Sequence, residues 1–524
     1  MKNKWEILKE PGFQGKLLLA LSLLSLVLSL LVRIPALRDH SFWWRAAQTE
    51  STVYWFQQEG IDLIDYQTPI YGPPWQVPFE FPLFQAMAAL IGKIGHLDSE
   101  FSSRLAALFS FYLSALFLYL ASQKIFRDKF TSHSILFIYL WTPYNIYYST
   151  EPLIDFLALA MGFGYFYLIL VWLDNRSKGW NALAAFVCGA LGYLIKPSVM
   201  PIVVIPILAA VILDAKERGY FSRPFTIRSL WGRVKVDLAY WVILAAIGIL
   251  PVLLGYLWTK HADLIKGSSV FTQWLTSTNL PQWYFGTWAQ RLNISLWYQY
   301  IHQILWFLLP YAFFPFALLG FAGLRKTSLK VALIVPAFAL GVFATLSIFL
   351  NLFQHEYYYI CFTASMAILT GFGIRRFLQL TQKVMPDVIY LAALALLITA
   401  AFCYKNQYRP FRARALDYNN QMASTRAWVR EIQQYVSTDE WVVFVEDDWN
   451  PLIPYLFERK TMVVTWHEND DPICSILSDS HFTLLVDRLS SDITVEHRAP
   501  EAARALSCFR VSEMVMPYVY RVSH

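Results

Sequence analysis

The fold of this chain is decided by residues 16–45, which read KLLLALSLLSLVLSLLVRIPALRDHSFWWR. The apolar run after Lys16 is long enough to cross a bilayer, which takes roughly 20 residues. It has no small-residue cleavage site, so we expect a retained membrane span rather than a removed signal peptide. Polar side chains begin directly after this span with Asp39 and His40 and continue, interleaved with aromatics, over residues 38–100. In an otherwise apolar protein, this segment predicts a functional loop on the outer membrane surface.

The composition is typical of a polytopic membrane protein. Hydrophobic residues make up 56% of the chain, aromatic residues 17% and charged residues only 15%, and the mean hydropathy is +0.40. These values argue against a large soluble enzyme. The net charge of +6 comes largely from short loops, so it indicates topology and gives no reason to expect a nucleic-acid partner. Cys474 and Cys508 could pair if their surroundings are extracytoplasmic, with free thiols as the alternative.

Hydropathy predicts about eleven membrane spans, each an apolar window of roughly 17–22 residues. The pair that flanks Lys196 consists of short windows. The expected positions are residues 16–36, 102–123, 132–150, 153–172, 180–195, 197–213, 237–258, 300–323, 330–350, 357–374 and 386–404. The sequence therefore predicts a polytopic α-helical membrane protein.

Alternate loops differ in charge, and this difference predicts the orientation of the chain. Lys and Arg concentrate in the N-terminal segment and in every second loop, such as residues 216–235, which we expect to be cytoplasmic. We expect the chain in the inner (plasma) membrane, with a cytoplasmic N-terminus and an extracytoplasmic C-terminal tail. The outward-facing segments would be residues 38–100, 149–152, 196–197, 260–299, 351–358 and everything after 404.

Two domains are expected. Residues 1–404 would form the membrane domain, with 38–100 as its extracytoplasmic active-site loop, and residues 405–524 a small soluble α/β domain. The tail has helical spacing of apolar residues over 417–436. Asn450-Pro451 fits the start of a helix. Three β-branched-rich segments, which alternate with helix-sized segments, are predicted to be strands: residues 441–445, 462–465 and 482–486.

Two carboxylates in the 38–100 loop are candidate site residues. Asp39 follows the first span, where a general base could accept a proton from an acceptor hydroxyl beside a membrane-embedded donor. The alternative is that Asp39 caps a helix over residues 41–58. Glu80 is flanked by Phe79 and Phe81, and a carboxylate in such an apolar setting needs a cation or a metal as partner. Its alternative role is an N-terminal helix charge favoured by the helix dipole.

Other candidates lie in outward corners between spans. Lys196 breaks the charge rule for such a corner, which suggests that it pairs with a phosphate at headgroup depth, although snorkelling to the interface would also place it there. The corner His355–Tyr359 offers an imidazole for a metal or phosphate and tyrosine rings for a sugar, although interfacial tyrosines are common. Glu151 and Asp155 bracket the start of another span from the outer side, and the apolar sequence around Asp155 favours a role that faces the helix bundle.

These features together resemble the GT-C class of polyprenyl-phosphate-sugar-dependent glycosyltransferases. Within that class, the nearest likeness is to the bacterial protein O-mannosyltransferases and lipid A aminoarabinose transferases of glycosyltransferase family 39. The first external loop of such enzymes opens with an acidic residue held to be catalytic, and Asp39 matches it. The resemblance rests on Arg38-Asp39-His40, residues 44–49, the sequence FEFPLFQ at 79–85, residues 143–155 and residues 355–359.

The chain departs from that family in one motif. The aminoarabinose-transferase relatives carry Glu-Lys-Pro there, in which the lysine contacts the lipid phosphate and the glutamate helps to bind a metal. Phe81 replaces that lysine, so we expect Lys196, Arg45 or His355 to contact the phosphate. Whether Asp39, Glu80 and His355 hold a divalent metal is left open by the sequence, because His40 replaces the second acid of a typical Asp-Asp or Asp-Glu pair. Residues expected to line the site are His40, Glu80, Glu151, Glu356, Tyr357 and Tyr358.

An outward-facing site restricts the donor, because nucleotide sugars are made in the cytoplasm. The resemblance therefore implies transfer, with inversion, from a polyprenyl-phosphate sugar to a glycan, glycolipid or protein acceptor, with Asp39 as base. The other expected partners are membrane lipids, and no cofactor beyond the open metal is expected. Two alternatives are a flippase or transporter of lipid-linked sugars, which would place paired charges at the bilayer midplane, and a non-catalytic envelope scaffold.

Overall fold

The computed structural model describes residues 11–38, 44–221, 227–269, 271–308, 313–381, 405, 408–445, 449–464, 474, 477, 481–487, 508 and 510–523. Asp39, His40 and the predicted span 386–404 lie outside the described residues.

The described part of the membrane region is almost entirely helical. Its helices up to residue 236 are α1 Pro11–Arg33, α2 Trp44–Glu59, α3 Leu83–Gly95, α4 Ser99–Phe126, α5 Lys129–Trp141, α6 Pro143–Tyr148, α7 Asp155–Asp174, α8 Gly179–Ile195, α9 Pro201–Glu217 and α10 Ile227–Val236. Those that follow are α11 Leu238–Gly267, α12 Pro281–Phe285, α13 Trp288–Leu292, α14 Ile294–Gln303, α15 Phe314–Gly323, α16 Leu329–Ile348 and α17 Thr363–Thr381.

Six helical segments among the described residues are long and apolar enough to cross a membrane. They are Leu18–Arg38, Ser99–Phe126, Asp155–Asp174, Leu238–Gly267, Leu329–Ile348 and Glu356–Thr381. Three shorter apolar helices are Leu83–Gly95, Gly179–Ile195 and Phe314–Gly323. The chain is thus a multi-pass helical membrane protein, and the count of eleven spans stays a prediction.

Some predicted spans differ from the helices of the structure. The span 132–150 is wrong as a single helix, because α5 ends at Trp141 and Pro143 starts α6. Proline lacks the N–H that would continue the helix and restricts the residue before it. The span 300–323 is divided among α14, a π-helical segment Ile304–Leu308 and α15.

The loop 38–100 is largely helical in its described part. Most of α2, including Arg45 at its start, was expected as a helix. The apolar helix α3 was counted as part of the loop and not as an element of its own. Close packing in the bundle uses small residues. A Cβ atom at Gly373 of α17 would overlap the carbonyl oxygen of Phe316 in α15, so these two helices meet backbone to backbone.

The tail contains α18 Arg409–Gln433, β1 Trp441–Val445, α19 Leu452–Phe457, β2 Thr461–Val464, β3 Phe482–Asp487, β4 Arg510–Met516 and β5 Val519–Ser523. The strand order is β2-β1-β3-β5-β4, with β1 parallel to both of its neighbours and β5 antiparallel to β3 and β4. The three predicted strands are confirmed within a residue, and β4 and β5 were not predicted. Asn450 Oδ1 accepts a hydrogen bond from Leu452 N, at the start of α19. Cys474 and Cys508 form a disulfide, which is one of the two alternatives left by the sequence.

The tail sheet packs directly on the first loop. The carbonyl oxygen of Ile70 accepts a hydrogen bond from Val463 N at 2.7 Å, and Tyr71 forms an antiparallel bridge with Met462. Thr461 Oγ1 donates to the Pro69 carbonyl oxygen at 3.0 Å. Residues 69–71 therefore cover the β2 edge of the sheet, an edge that would otherwise expose unpaired backbone groups.

Candidate active site

The first pair of charged residues in the candidate site joins α2 to the segment before α3. Arg45 Nη2 lies 2.6 Å from Glu80 Oε2, and the two side chains are 17% and 9% exposed. Arg45 Nη1 donates to Gln48 Oε1 at 2.7 Å, and Gln85 Nε2 donates to Glu80 Oε1 at 2.7 Å. Burial alone would lower the pKa of Arg45, but the Glu80 carboxylate outweighs burial and raises it. Glu80 thus has a cation partner, and both charges are fixed by neutral amides.

The second pair joins the corner after α8 to the start of α7. Lys196 Nζ lies 2.7 Å from Asp155 Oδ1, and both side chains are almost fully buried. Asp155 is the first residue of α7, where the helix dipole favours a negative charge. Lys196 Nζ also lies over two rings, 4.2 Å from the centre of Tyr358 and 5.2 Å from that of Tyr357. Such cation–π contacts strengthen when the cation is shielded from water.

The two tyrosines place both pairs in one site. Arg45 is close enough to Tyr357 and Tyr358 to interact electrostatically with both hydroxyl groups. Lys196 interacts in the same way with the hydroxyl group of Tyr358. The structure therefore groups residues that are far apart in sequence around one pair of aromatic rings. Among the predicted site residues, this group contains Arg45, Glu80, Lys196, Tyr357 and Tyr358.

His355 and Glu356, which precede the two tyrosines in the sequence, contact other parts of the chain. The ring of His355 lies 5.0 Å from that of Trp283 and 6.1 Å from that of Tyr357, and burial lowers the pKa of His355. A neutral imidazole at this edge can both donate and accept a hydrogen bond. Glu356 lies 3.7 Å from Arg414 of α18, so its carboxylate faces the tail helix.

A second polar cluster lies where the tail meets the membrane domain. The Glu151 carboxylate is 3.6 Å from Arg104, and Arg426 of α18 is 2.8 Å from Glu100. Glu50 of α2 belongs to the same cluster and is 1% exposed. Its pKa is raised well above the ordinary value, first by burial and then by Glu100, although Arg104 opposes the shift. The predicted site residue Glu151 therefore belongs to this cluster rather than to the one around Tyr357.

The sequence analysis missed residues at the end of α11 that border the site. Lys266 is 6% exposed, lies 3.3 Å from Asp263 and donates to the Leu275 carbonyl oxygen at 2.8 Å. Its ammonium is 5.9 Å from the centre of the Phe79 ring and acts electrostatically with Glu80. The signal was present, since Lys266 is a cation in a segment expected to face outward, the same argument that selected Lys196.

Aromatic side chains from three parts of the chain meet beside Glu80. The ring of Trp449, from the tail, is stacked with that of Phe79 at 6.3 Å and lies 5.4 Å from Trp44. Tyr71 and Trp274 complete the group, at 5.6 Å and 6.3 Å from Trp449. This aromatic cluster ties the tail and the 271–275 segment to the loop that carries Glu80.

Comparisons with known proteins identify the fold. The family model described as dolichyl-phosphate-mannose-protein mannosyltransferase matches residues 76–231, a range that includes Glu80, Asp155 and Lys196. The solved structure of apo ArnT from Cupriavidus metallidurans superposes with a TM-score of 0.60 at 13% identity, over 96% of this chain and 97% of that one. The fold is that of a GT-C glycosyltransferase. The resemblance predicted from the sequence motifs is thereby confirmed.

Two further structures share the GT-C fold. ArnT from the same organism bound to undecaprenyl phosphate gives a TM-score of 0.58 at 14% identity, over 98% of both chains. The apo oligosaccharyltransferase of Archaeoglobus fulgidus gives 0.53 at 12% identity, over 91% of this chain and 70% of that one. A search of curated protein sequences finds no significant match.

The metal prediction stays a prediction. No group of three or more His, Cys, Asp or Glu side chains arranged to hold a metal occurs among the described residues. One member of the expected set, Asp39, lies outside them. Glu80, a second member, has one carboxylate oxygen bonded to Arg45 and the other to Gln85.

Proposed function

We propose that this protein is an integral-membrane glycosyltransferase that moves a hexose-type sugar from a polyprenyl-phosphate donor to an extracytoplasmic acceptor. The observation that carries the proposal is the grouping of Arg45–Glu80 and Lys196–Asp155 around Tyr357 and Tyr358 on a GT-C fold. An ArnT with the same fold is bound to undecaprenyl phosphate, and the archaeal oligosaccharyltransferase binds dolichol-phosphate together with an inhibitory peptide. Both relatives support a lipid phosphate as the donor's leaving group.

The proposed orientation places the site outside the cytoplasm of the cell. The Cys474–Cys508 disulfide supports an extracytoplasmic tail, because such bonds persist in oxidising compartments. The tail is hydrogen-bonded to residues 69–71 of the first loop, so the loop and the tail lie on the same side of the membrane. The N-terminus would then be cytoplasmic, and the site would meet lipid-linked sugars rather than nucleotide sugars. The proposed location is the inner (plasma) membrane.

The donor phosphate would be held by cations that already carry partners. Arg45, Lys196 and Lys266 each lie close to a carboxylate, which stabilises the cation in the absence of substrate. Arg45 is the most accessible of the three, since its side chain is 17% exposed against 9% and 7% for the lysines. Its planar guanidinium can bind two phosphate oxygens at once. His355 would add a hydrogen bond at the edge of the site.

The proposed chemistry is a direct displacement at the anomeric carbon. The acceptor oxygen forms the new bond, the bond to the phosphate oxygen breaks, and the configuration inverts. Asp39 takes the proton of the acceptor hydroxyl, and the polyprenyl phosphate leaves as an anion stabilised by the cations. The acceptor is an extracytoplasmic glycan, glycolipid or protein. A divalent metal at Glu80 and His355 would require the Arg45–Glu80 bond to open.

The test is a transfer assay on the full chain in nanodiscs. Radiolabelled polyprenyl-phosphate sugars are incubated with envelope extract, and labelled acceptor and released lipid phosphate are measured. Asp62→Asn is the matched control for Asp39→Asn, since Asp62 lies in the same loop and its exposed carboxylate accepts hydrogen bonds from the backbone N–H groups of Ile64 and Asp65. Release of lipid phosphate with label transfer supports the proposal. Movement of intact donor across the bilayer would instead indicate a flippase, and the absence of both would indicate a scaffold.

A further inference from the structure

A cleft in the tail lies apart from the site described above. Its volume is about 330 Å³, and it is lined by Ser424, Thr425, Trp428, Val486, Asp487, Pro517 and Tyr518. The first three residues belong to α18, the next two end β3, and the last two form the turn between β4 and β5. Ligand pockets in proteins range upward from about 300 Å³, so the cleft has room for one sugar ring.

The position of the cleft follows from the order of the strands. The first strand of the sheet, β1, has β2 on one side and β3 on the other, and all three run in parallel. Along the chain, β2 is added on one side of β1 and β3 on the other side, so the direction of strand addition reverses at β1. In open α/β sheets, ligands bind beyond the carboxyl ends of the strands beside such a reversal. The cleft lies at the carboxyl end of β3, one of the two strands beside this reversal, and is bordered on the other side of β3 by the turn that precedes β5.

The lining combines hydrogen-bond acceptors with aromatic rings. Asp487 contributes a carboxylate and is 3% exposed. The hydroxyls of Ser424 and Thr425 donate to the Gln421 carbonyl oxygen, which leaves their oxygen lone pairs able to accept. A ligand that suits this lining donates several hydrogen bonds and presents an apolar face to a ring. A pyranose does both, through its hydroxyls and its C–H groups.

Tyr518 is held in an unusual backbone conformation at the cleft. Its φ is +61°, in the left-handed region that glycine or asparagine would normally occupy. The residue is 41% exposed, so burial of its ring does not explain the choice of tyrosine. Strained non-glycine residues cluster where a side chain is needed in a fixed place.

We propose that this cleft is a second carbohydrate site, which binds a pyranose of a glycan acceptor away from the Arg45–Glu80 cluster. The acceptor part of the inference rests on the proposed function, whereas sugar binding itself does not. Asp487 and the two hydroxyls of α18 accept hydrogen bonds from the sugar, and Tyr518 and Trp428 pack against its ring. The tail then holds part of the acceptor while another part reaches the donor.

The test measures sugar binding without any donor. The full chain in nanodiscs is examined by saturation-transfer difference NMR with the methyl pyranosides of glucose, galactose, mannose and N-acetylglucosamine. At least one probe is expected to bind, and Tyr518→Gly should weaken its binding roughly threefold to tenfold, the usual worth of one aromatic contact. Glycine suits the φ of this position, so the variant should fold at least as well as the wild type. Tyr418→Ala on α18, outside the cleft, is the control and should leave binding unchanged.

The outcomes separate this inference from the proposed function. Thr425→Val keeps the shape of the side chain and removes one acceptor, so it should also weaken binding of the same probe. If no probe binds, or if both cleft variants bind as well as the wild type, the cleft is not a sugar site. Sugar binding in a chain that transfers no label would keep the cleft and reject the glycosyltransferase. Transfer of label by a chain whose cleft binds no sugar would keep the glycosyltransferase and reject the cleft as a sugar site.

Discussion

Lys196 and Asp155 form a nearly buried ion pair at 2.7 Å, 41 residues apart in sequence. A buried pair is costly to break, because removal of one partner leaves an uncompensated charge. The pair therefore has two separable consequences: it stabilises the end of the helix bundle at which it lies, and it holds a cation beside Tyr358.

Removal of the lysine charge should affect both stability and donor binding. Lys196→Met should lower the free energy of unfolding by about 3–5 kcal/mol, because Asp155 is left buried without a partner. In the double variant with Asp155→Asn, stability should largely recover while donor affinity stays low. Thermal unfolding in nanodiscs and binding of a polyprenyl phosphate measure the two effects. Wild-type affinity in the double variant would remove Lys196 from the donor site.

Arg45 should not be replaceable by lysine. Its guanidinium bonds Glu80 with one nitrogen and Gln48 with another, and a lysine ammonium cannot reproduce that planar geometry. Hydrogen bonds to charged groups are worth about 1.5–3 kcal/mol, so Arg45→Lys should lower kcat/KM roughly tenfold to a hundredfold. The matched control is Arg375→Lys, which changes an arginine paired with Asp128 at the expected cytoplasmic end. Equal effects of both changes would contradict a role for Arg45 in the site.

Loss of the proposed base should stop transfer without unfolding the protein. General-base catalysis typically contributes about 10²–10⁴-fold, and Asp39→Asn should reduce kcat by a factor in that range. Donor binding should change little, since the phosphate is bound by the cations. Steady-state transfer rates and donor affinity are measured on the same preparation. Turnover near that of the wild type would reject Asp39 as base.

Glu50 should make the stability of the protein depend on pH. Neither oxygen of its carboxylate has a hydrogen-bond partner among the described residues, and burial raises its pKa well above the ordinary 4.5. The folded state therefore holds a proton that the unfolded state releases near pH 4.5, so stability falls as the pH rises from that value through the raised pKa. Glu50→Gln should flatten this part of the curve. Unfolding temperatures measured from pH 4.5 upward test this, and an unchanged slope would show that other groups cause it.

The tail disulfide should form in cells and should be absent when the tail is kept in the cytoplasm. The bonded cysteines are 34 residues apart, and closure of a loop of this size is worth about 3–4 kcal/mol in the chain-entropy account. Cys474→Ser and Cys508→Ser should each lower the unfolding temperature. The two decreases should be similar, because either change removes the same bond. Mass spectrometry after alkylation, with and without reductant, detects the bond. Free thiols at both positions in native membranes would contradict the proposed orientation.

The spans and strands could be predicted largely because their patterns are local. Bilayer thickness fixes the length of an apolar run, and β1 and β3 are short β-branched runs buried in the sheet. The exposed strand β4 has no buried face, so it shows no such pattern. The sequence also singled out two individual cations, Lys196 from its place in an outward corner and Arg45 because Phe81 replaces the lysine of the related motif, and their role at a phosphate stays a prediction.

The partners of these residues could not be predicted, because pairing depends on tertiary structure. The sequence indicated that Glu80 needs a cation, but 35 residues separate it from Arg45 and nothing local selects that arginine. Glu151 was grouped with the site by its position at the outer end of a span. The structure pairs it with Arg104, since the two lie on facing elements of the bundle.

The contact between Ile70 and Val463 links the tail to the loop that carries Glu80. Only nine residues lie between Ile70 and Glu80, and one of them, Phe79, is stacked with Trp449 of the tail. A truncation that removed the sheet would also remove the tail contacts of this stretch, which leads directly to the carboxylate that is bonded to Arg45. An inactive truncated chain would therefore say nothing about whether the tail itself touches substrate.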